Sequence, residues 1–244
     1  MEKFSLDAAE FLAEQSEPGL RLFLDSAHPE DWRRLLPLGF FFGVTTNPLV
    51  LERSGQACTL SNLERLTKLA VELGAGEIHL QTWGRTPEEM VHHGSQLALL
   101  TGLGINVVVK VPATEPGFLV ARQLSEAGCT ITLTAVYNPG QVLLAAGFGA
   151  AYAAPYLGRI NDQGRDGRQA ILSMRDTLFN TQSSTRLLVA SLRSATDVLE
   201  LAQMGLDTLT FGTPVAADLL KENLTDMAAQ DFQRAAEAMN MEEK

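Results

Sequence analysis

Asn106-Val-Val-Val-Lys110-Val-Pro-Ala-Thr114 places one lysine near the end of an otherwise apolar run. Such a run, rich in β-branched residues, reads as a strand buried on both faces of a parallel sheet. Side chains alternate along a strand, so Asn106, Val108 and Lys110 share one face and Val107, Val109 and Val111 the other. The all-valine face suits packing against helices, which turns Lys110 to the opposite side. The chain has five lysines, and the other four, Lys3, Lys68, Lys221 and Lys244, stand in polar or terminal contexts. A desolvated ammonium loses proton affinity, and the neutral amine can then attack a carbonyl to form a Schiff base. The alternative is a lysine at a strand end that snorkels to solvent or pairs with a carboxylate.

Outward from this strand the pattern repeats in both directions. Upstream, a helix is expected over 5–15, a strand over 21–25 ending in Asp25, a helix over 29–36, and a strand over 39–46 running into Asn47-Pro48. A helix over 60–73 ends at Gly74, a strand covers 77–81, and Thr86-Pro87-Glu88 starts the next helix with proline just inside it. Downstream come a helix over 117–127, a strand over 130–136, a helix over 140–146 and a strand over 150–156. A Gly-rich loop over 159–167, a helix to Asn180, a strand over 186–190, a helix over 196–204 and a strand over 208–211 follow. A last helix spans 224–241; its spare apolar face, with Phe232, Ala235 and Met239, packs either on a neighbouring subunit or on its own barrel. Eight strands, each followed by a helix or helical turn, in about 250 residues predict an α/β fold, a single (β/α)8 TIM barrel. No composition break divides the chain, so residues 1–244 are read as one domain, with 1–20 an accessory N-terminal helix and 222–244 a C-terminal helix.

Composition narrows the function. With 45% hydrophobic and 20% charged residues the chain reads as an ordinary globular protein, and it has neither an apolar run long enough for a membrane span nor a secretory signal. Cys58 and Cys129 have no metal-ligand spacing and are expected to be reduced thiols of a cytoplasmic protein, while the four histidines form no HExxH; no bound metal is expected. A formal net charge of −10 argues against nucleic acid or an anionic membrane as partner. An anionic metabolite would need a local basic pocket.

In barrels of this type the chemistry sits at the C-terminal strand ends. Here those ends carry Asp25, then Thr45, Thr46 and Asn47, then Gln81, Lys110, Thr132 and Thr134, Tyr156, and finally Ser191 and Arg193. Each has a plain structural alternative: Asp25 as a helix cap, Tyr156 as a packed ring, Asn47 as a turn residue before proline, Arg193 as a surface residue.

Leu24-Asp-Ser-Ala27, Gly43-Val-Thr-Thr-Asn-Pro48, Val109-Lys-Val-Pro112, Ala154-Pro-Tyr-Leu-Gly-Arg159 and Ala190-Ser-Leu-Arg193 resemble, in this order, the motifs of the transaldolase family. The likeness runs from about Leu22 to Leu220, and Gln81, Tyr156 and the segment 133–137 resemble its fructose-6-phosphate aldolase-like branch. Thr132, Leu49, Trp83 and the N-terminal extension depart from the family pattern. The resemblance implies a class I aldolase or transaldolase that works without a cofactor on a sugar phosphate such as fructose 6-phosphate. It implies catalytic roles for Lys110, Asp25, Tyr156 and Gln81, with Tyr156 acting as acid and base through a water. Asn47, Thr45, Thr134 and Thr132 would meet substrate hydroxyls, and Arg159, Ser191 and Arg193 the phosphate. It further implies a homo-oligomer. Two other readings are a strict transaldolase, transferring the three-carbon unit between sedoheptulose 7-phosphate and glyceraldehyde 3-phosphate, and a sugar-phosphate-binding barrel without activity.

Overall fold

Alternating strands and helices wind into a parallel barrel in the computed structural model, which describes residues 19–240. The strands are β1 Arg21–Asp25, β2 Gly43–Thr45, β3 Glu77–Gln81, β4 Asn106–Pro112, β5 Thr130–Val136, β6 Tyr152–Pro155, β7 Arg186–Leu187, β8 Val189–Leu192 and β9 Thr208–Phe211. Their order is β7-β6-β5-β4-β3-β2-β1-β9-β8, and neighbours run parallel. The expected (β/α)8 architecture is present, with one difference in the count. The segment read as a single strand over 186–190 is split at Leu188: β7 pairs with β6, and β8 pairs with β9. A bridge between Tyr156 and Ala190 joins the two edges and draws the ring together.

The two faces of β4 separate as its alternation requires. Val107, Val109 and Val111 join the layer between sheet and helices, together with Leu63, Leu97, Val120 and Leu124. Burying one such side chain stabilises the fold by about 1.5–3 kcal/mol. Val108 faces inward with Phe23, Tyr152, Ala154 and Leu188. Gly43 is required on β2, because a Cβ there would collide with the Glu77 carbonyl of β3.

The two ends of the barrel are built from different residues. At the C-terminal ends of the strands, Asn47, Thr86, Thr114, Asn138 and Ser194 cap the following helices, each side chain accepting from an amide three residues on. At the other end the helices stop at Gly74, Gly128, Gly149 and Gly205, all with positive φ. Caps therefore frame the mouth in which Lys110 stands.

Two local expectations need correction, two helices are added, and one alternative is decided. The strand expected over 39–46 is only Gly43–Thr45: Phe40 is exposed and Phe41 packs on Phe211 at 5.5 Å, so the phenylalanines form a connection outside the sheet. Arg159 is not in a loop but on the helix Leu157–Asp162, and Tyr156 occupies the cap position before it. A helix, Pro48–Arg53, starts directly at Asn47, and another, Thr213–Leu220, follows β9. The helix Asn223–Asn240 does not close its own barrel: Leu224, Met227, Phe232 and Met239 are all exposed. The helix expected over 5–15 lies outside the described residues. Among the described residues no helix is long and apolar enough to cross a membrane.

Candidate active site

Lys110 is 4% exposed, and its Nζ donates to the Thr46 carbonyl oxygen at 2.9 Å. No carboxylate lies within ion-pair distance of it among the described residues. Burial pushes the amine below the usual lysine range, against the pull of the Asp25 charge. The snorkelling alternative therefore does not describe this side chain.

Asp25 ends β1 on the same rim. Its Oδ1 accepts from Thr45 Oγ1 at 2.8 Å, and since that hydroxyl has a single proton, the 2.6 Å contact between Thr45 and Thr210 is donated by Thr210. Asp25 does not cap the next helix, whose cap position is His28. Ser26 instead fixes that entry, donating to Asp31 at 2.7 Å and accepting from the His28 amide at 3.1 Å.

The mouth opens into a cavity of about 640 Å3, lined by Asp25, Asn47, Lys110, Tyr156, Arg159 and Ser191 among others. A smaller recess of about 180 Å3 adjoins it, shares Asn47, Tyr156 and Arg159, and adds Gln81 and Thr134. Thr134 and Tyr156 are joined through their hydroxyls at 2.8 Å. Burial raises the Tyr156 phenol above its ordinary range; the Thr134 hydrogen bond and the Arg159 charge work the other way and Asp25 adds to the rise. Asn47 spends its side-chain oxygen on the Val50 amide at 3.0 Å, which leaves its NH2 group for a ligand.

Two backbone features aim these groups. Ala135 sits at an irregularity of β5 with φ 58°, and Ser191, with φ 60°, sits at an irregularity within β8. Such conformations cost a non-glycine residue about 1–3 kcal/mol and persist only where the surroundings hold them. Arg193 lines the large cavity and is locked to Asp162 by two bonds of 2.7 and 2.5 Å. Among the described residues Arg159 carries no such partner; its guanidinium lies 5.1 Å from the Tyr156 ring centre.

The structure brings together Lys110, Asp25, Asn47, Tyr156, Arg159, Ser191 and Arg193, with Gln81 and Thr134 in the adjoining recess. Thr45 and Thr132 line neither space and are fully buried. Thr45 is committed to Asp25, and Thr132 to His79 at 2.9 Å. Both are therefore withdrawn as hydroxyl-binding residues. The sequence reading missed Arg53, Thr210 and Thr213 on the cavity wall. Thr210 was accessible by the same alternation that singled out Lys110; Arg53 was not, because it depends on a helix that only the fold reveals. The Thr213 hydroxyl is buried without a hydrogen-bond partner among the described residues.

A parallel barrel with a desolvated lysine and a carboxylate at its C-terminal mouth, and guanidiniums on the wall, defines the class of an α/β-barrel enzyme. Comparison with known families narrows this further. Residues 22–244 match the family model described as Transaldolase/Fructose-6-phosphate aldolase, and the chain belongs to that family as an enzyme of the aldolase or transferase kind. Relatives include a "Probable transaldolase" of Aquifex aeolicus, 34% identical over 87% of this chain and 94% of the relative. Another, from Nitrosopumilus maritimus and also called "Probable transaldolase", is 33% identical over 91% and 97%. Among solved structures, a flavocytochrome b2 variant with sulfite bound superposes with TM-score 0.56 at 14% identity, over 81% of this chain and 57% of that one. A mandelate oxidase variant gives 0.54 at 14%, over 79% and 65%. This chain thus spans less than two thirds of those flavoprotein chains, and the likeness is one of barrel fold alone.

Proposed function

We propose that the protein forms a Schiff base between Lys110 and the ketone of a ketose phosphate such as fructose 6-phosphate, and cleaves or transfers its dihydroxyacetone unit. The observation that carries this reading is the buried Lys110 amine, with lowered proton affinity, at the floor of a cavity that also holds Asp25 and the arginines. The neutral amine attacks C2, and loss of water leaves an iminium. A base takes the C4 hydroxyl proton, the C3–C4 bond breaks, and its electron pair enters the iminium to give an enamine. The aldehyde phosphate leaves.

Tyr156, acting through a water held with Asp25 and Gln81, is the proposed acid and base. Its raised proton affinity favours the neutral phenol, which suits it to give a proton through that water; in the cleavage step the C4 hydroxyl proton enters the same water relay, where the Asp25 carboxylate also serves in proton transfer. The Asp25 charge favours the cationic iminium. The free NH2 of Asn47 and the Thr134 hydroxyl take the hydroxyls of the three-carbon unit. Arg159, Arg193 and Ser191 take the phosphate, because guanidinium forks match its oxygens and supply the positive field that an acidic chain otherwise lacks.

Release of the enamine by water makes an aldolase, and capture by an aldehyde phosphate makes a transaldolase. Gln81 and Tyr156 favour release, and the names carried by the relatives favour transfer. The working unit is read as a single domain over 1–244, cytoplasmic and homo-oligomeric, with the exposed apolar residues of the helix Asn223–Asn240 covered by another copy. Intact mass after borohydride reduction with dihydroxyacetone tests the chemistry: an adduct mapping to Lys110, absent in Lys110→Met, is expected. Absence of any adduct with either dihydroxyacetone or fructose 6-phosphate refutes it. Free dihydroxyacetone released from fructose 6-phosphate without an acceptor marks the aldolase; transfer to erythrose 4-phosphate without such release marks the transaldolase.

A further inference from the structure

Inside the barrel lie two buried polar clusters. One is closed on itself: His79 on β3 has Nε2 2.8 Å from Glu77 Oε1 and Nδ1 2.9 Å from Thr132 Oγ1. Glu77 also accepts from Asn106 Nδ2 at 2.5 Å and from the Tyr152 hydroxyl. Burial works to raise Glu77, but the hydrogen bonds and charge from His79, with Tyr152 and Asn106, hold the carboxyl below its usual range. Burial keeps His79 below the usual imidazole range despite Glu77. None of these side chains lines the cavity or its recess. The other cluster, Thr210, Thr45 and Asp25, ends in the cavity.

Strand pairing builds this second cluster. Asp25 and Thr45 are register partners across the β1–β2 pair, and Thr210 lies on β9, on the other flank of β1, in register with Phe23. The hydroxyls of Thr45 and Thr210 therefore meet at 2.6 Å in the barrel interior, from the two strands that flank β1. Thr45 is fully buried and Thr210 nearly so, which leaves both hydroxyls to find partners within the protein. Counting protons orders the chain. A carboxylate only accepts, so Thr45 gives its one proton to Asp25 Oδ1, and Thr210 gives its own to Thr45. Among the described residues Asp25 Oδ2 has no hydrogen-bond partner, and Asp25 lines the large cavity with Lys110 and Tyr156. Burial lowers the Lys110 amine and raises the Tyr156 phenol, and both feel the Asp25 charge, which opposes the first shift and adds to the second.

We propose that Thr45 is a positioning residue for Asp25: its hydroxyl, set by the proton that Thr210 gives it, pins Oδ1 and leaves Oδ2 for the water and substrate in the cavity. The inference rests on the Schiff-base reading of Lys110. Rotation of a carboxylate about its last single bond is soft, with broad wells, so the strand alone does not aim the second oxygen. Without the Thr45 proton the group turns, and misplacing it by about 1 Å slows the steps it serves by up to about 100-fold. Thr45 lines neither the cavity nor the recess, so its hydroxyl reaches the chemistry only through Asp25.

The test is the plateau rate and half-saturation of borohydride-trapped adduct formation with dihydroxyacetone in wild type, Thr45→Ser and Thr45→Val. Thr45→Ser keeps the hydroxyl and loses the methyl group; Thr45→Val keeps the shape and loses the proton. Positioning predicts Thr45→Ser within about threefold of wild type and Thr45→Val slower by about 10- to 100-fold, with half-saturation within about twofold in both. A packing role predicts the opposite order, and Thr45→Val at or above the Thr45→Ser rate overturns the proposal, as does a loss carried by half-saturation. Asp25→Ala decides whether the loss runs through the carboxylate. Adding Thr45→Val to it should change the adduct rate by less than about twofold, because the group that Thr45 aims is gone. A hydroxyl that only supports the barrel predicts the full fall a second time, and that result overturns the proposal. Wild type without a Lys110 adduct overturns the Schiff-base reading and this inference with it, whereas a normal wild-type adduct with any of those contrary results overturns this inference alone. Near-UV circular dichroism reads folding in every sample. If Thr45→Val does not fold, Thr45→Ala against Thr45→Ser decides the same point, since these two differ in the hydroxyl alone, and equal rates refute the proposal.

Discussion

Gly158→Ala separates the anion side of the cavity from the imine chemistry. Gly158 lies on the helix Leu157–Asp162, against Ser191 of β8 and Arg193 just beyond that strand. A methyl group built there comes 2.6 Å from the Ser191 carbonyl oxygen and 2.7 Å from Arg193 Nε. Non-bonded contact needs about 3.5 Å, so the neighbours must retreat by about 0.8 Å. Ser191 has little freedom to do so, because its backbone already stands at φ 60° beside the β8–β9 pairing. The exposed Arg193 guanidinium moves instead and is displaced from the anion. Overpacking of this kind costs about 1–3 kcal/mol of stability, a fall of about 2–12 °C in Tm for a chain of this size. Misplacing a binding group by nearly 1 Å costs about 10- to 100-fold. The expected result is a rise of that size in KM for fructose 6-phosphate, with trapping of the uncharged dihydroxyacetone on Lys110 within about twofold of wild type. An unchanged KM, or loss of trapping in step with it, would refute the assignment of Ser191 and Arg193 to the anion.

Three further outcomes are expected. Because burial lowers the Lys110 proton affinity, the adduct rate with dihydroxyacetone should rise with pH and level off well below the free-lysine value of about 10.4; a profile still rising at that pH contradicts the buried amine. His79 and Glu77 both have lowered values in the folded state. The unfolded chain thus binds more protons, and stability holds above about pH 6.5, falls as His79 takes up its proton only in the unfolded state, and falls further below about pH 4.3 as Glu77 does the same. Urea melts at pH 7.5, 5.5 and 3.5 should show this order, and His79→Gln should flatten the first part. Asp162→Ala frees Arg193 from a carboxylate, but both partners are about half exposed, so solvent screens the pair; inorganic phosphate, measured as a competitive inhibitor, should bind less than about fivefold more tightly.

The barrel was legible because its signals are local. Residues 77–81, 130–136 and 208–211 coincide with β3, β5 and β9, since a buried strand needs an unbroken apolar or β-branched run and little else. Thr86-Pro87 starts its helix as read, because a cap and a proline act within one turn. The phenylalanines at 40–42 misled for the same reason: an apolar run has no mark that separates a strand from a connection that packs its rings over the barrel end. The break at Leu188 left no trace in composition, because it arises from a change of partner strand.

By itself the sequence determined the alternation of elements, the face of β4 that bears Lys110, and the set of polar residues at the strand ends, all of which follow from periodicity along one strand. Only the tertiary structure decided which of them reach the cavity. Thr45 and Thr134 look alike in sequence, yet one hydroxyl is spent on Asp25 and the other stands against Tyr156 in the recess. Thr132, two residues from Thr134, turns to His79 across fifty-three positions of chain. Partners so far apart meet only when the ring closes, and a hydroxyl with one proton to give is defined by the partner it meets.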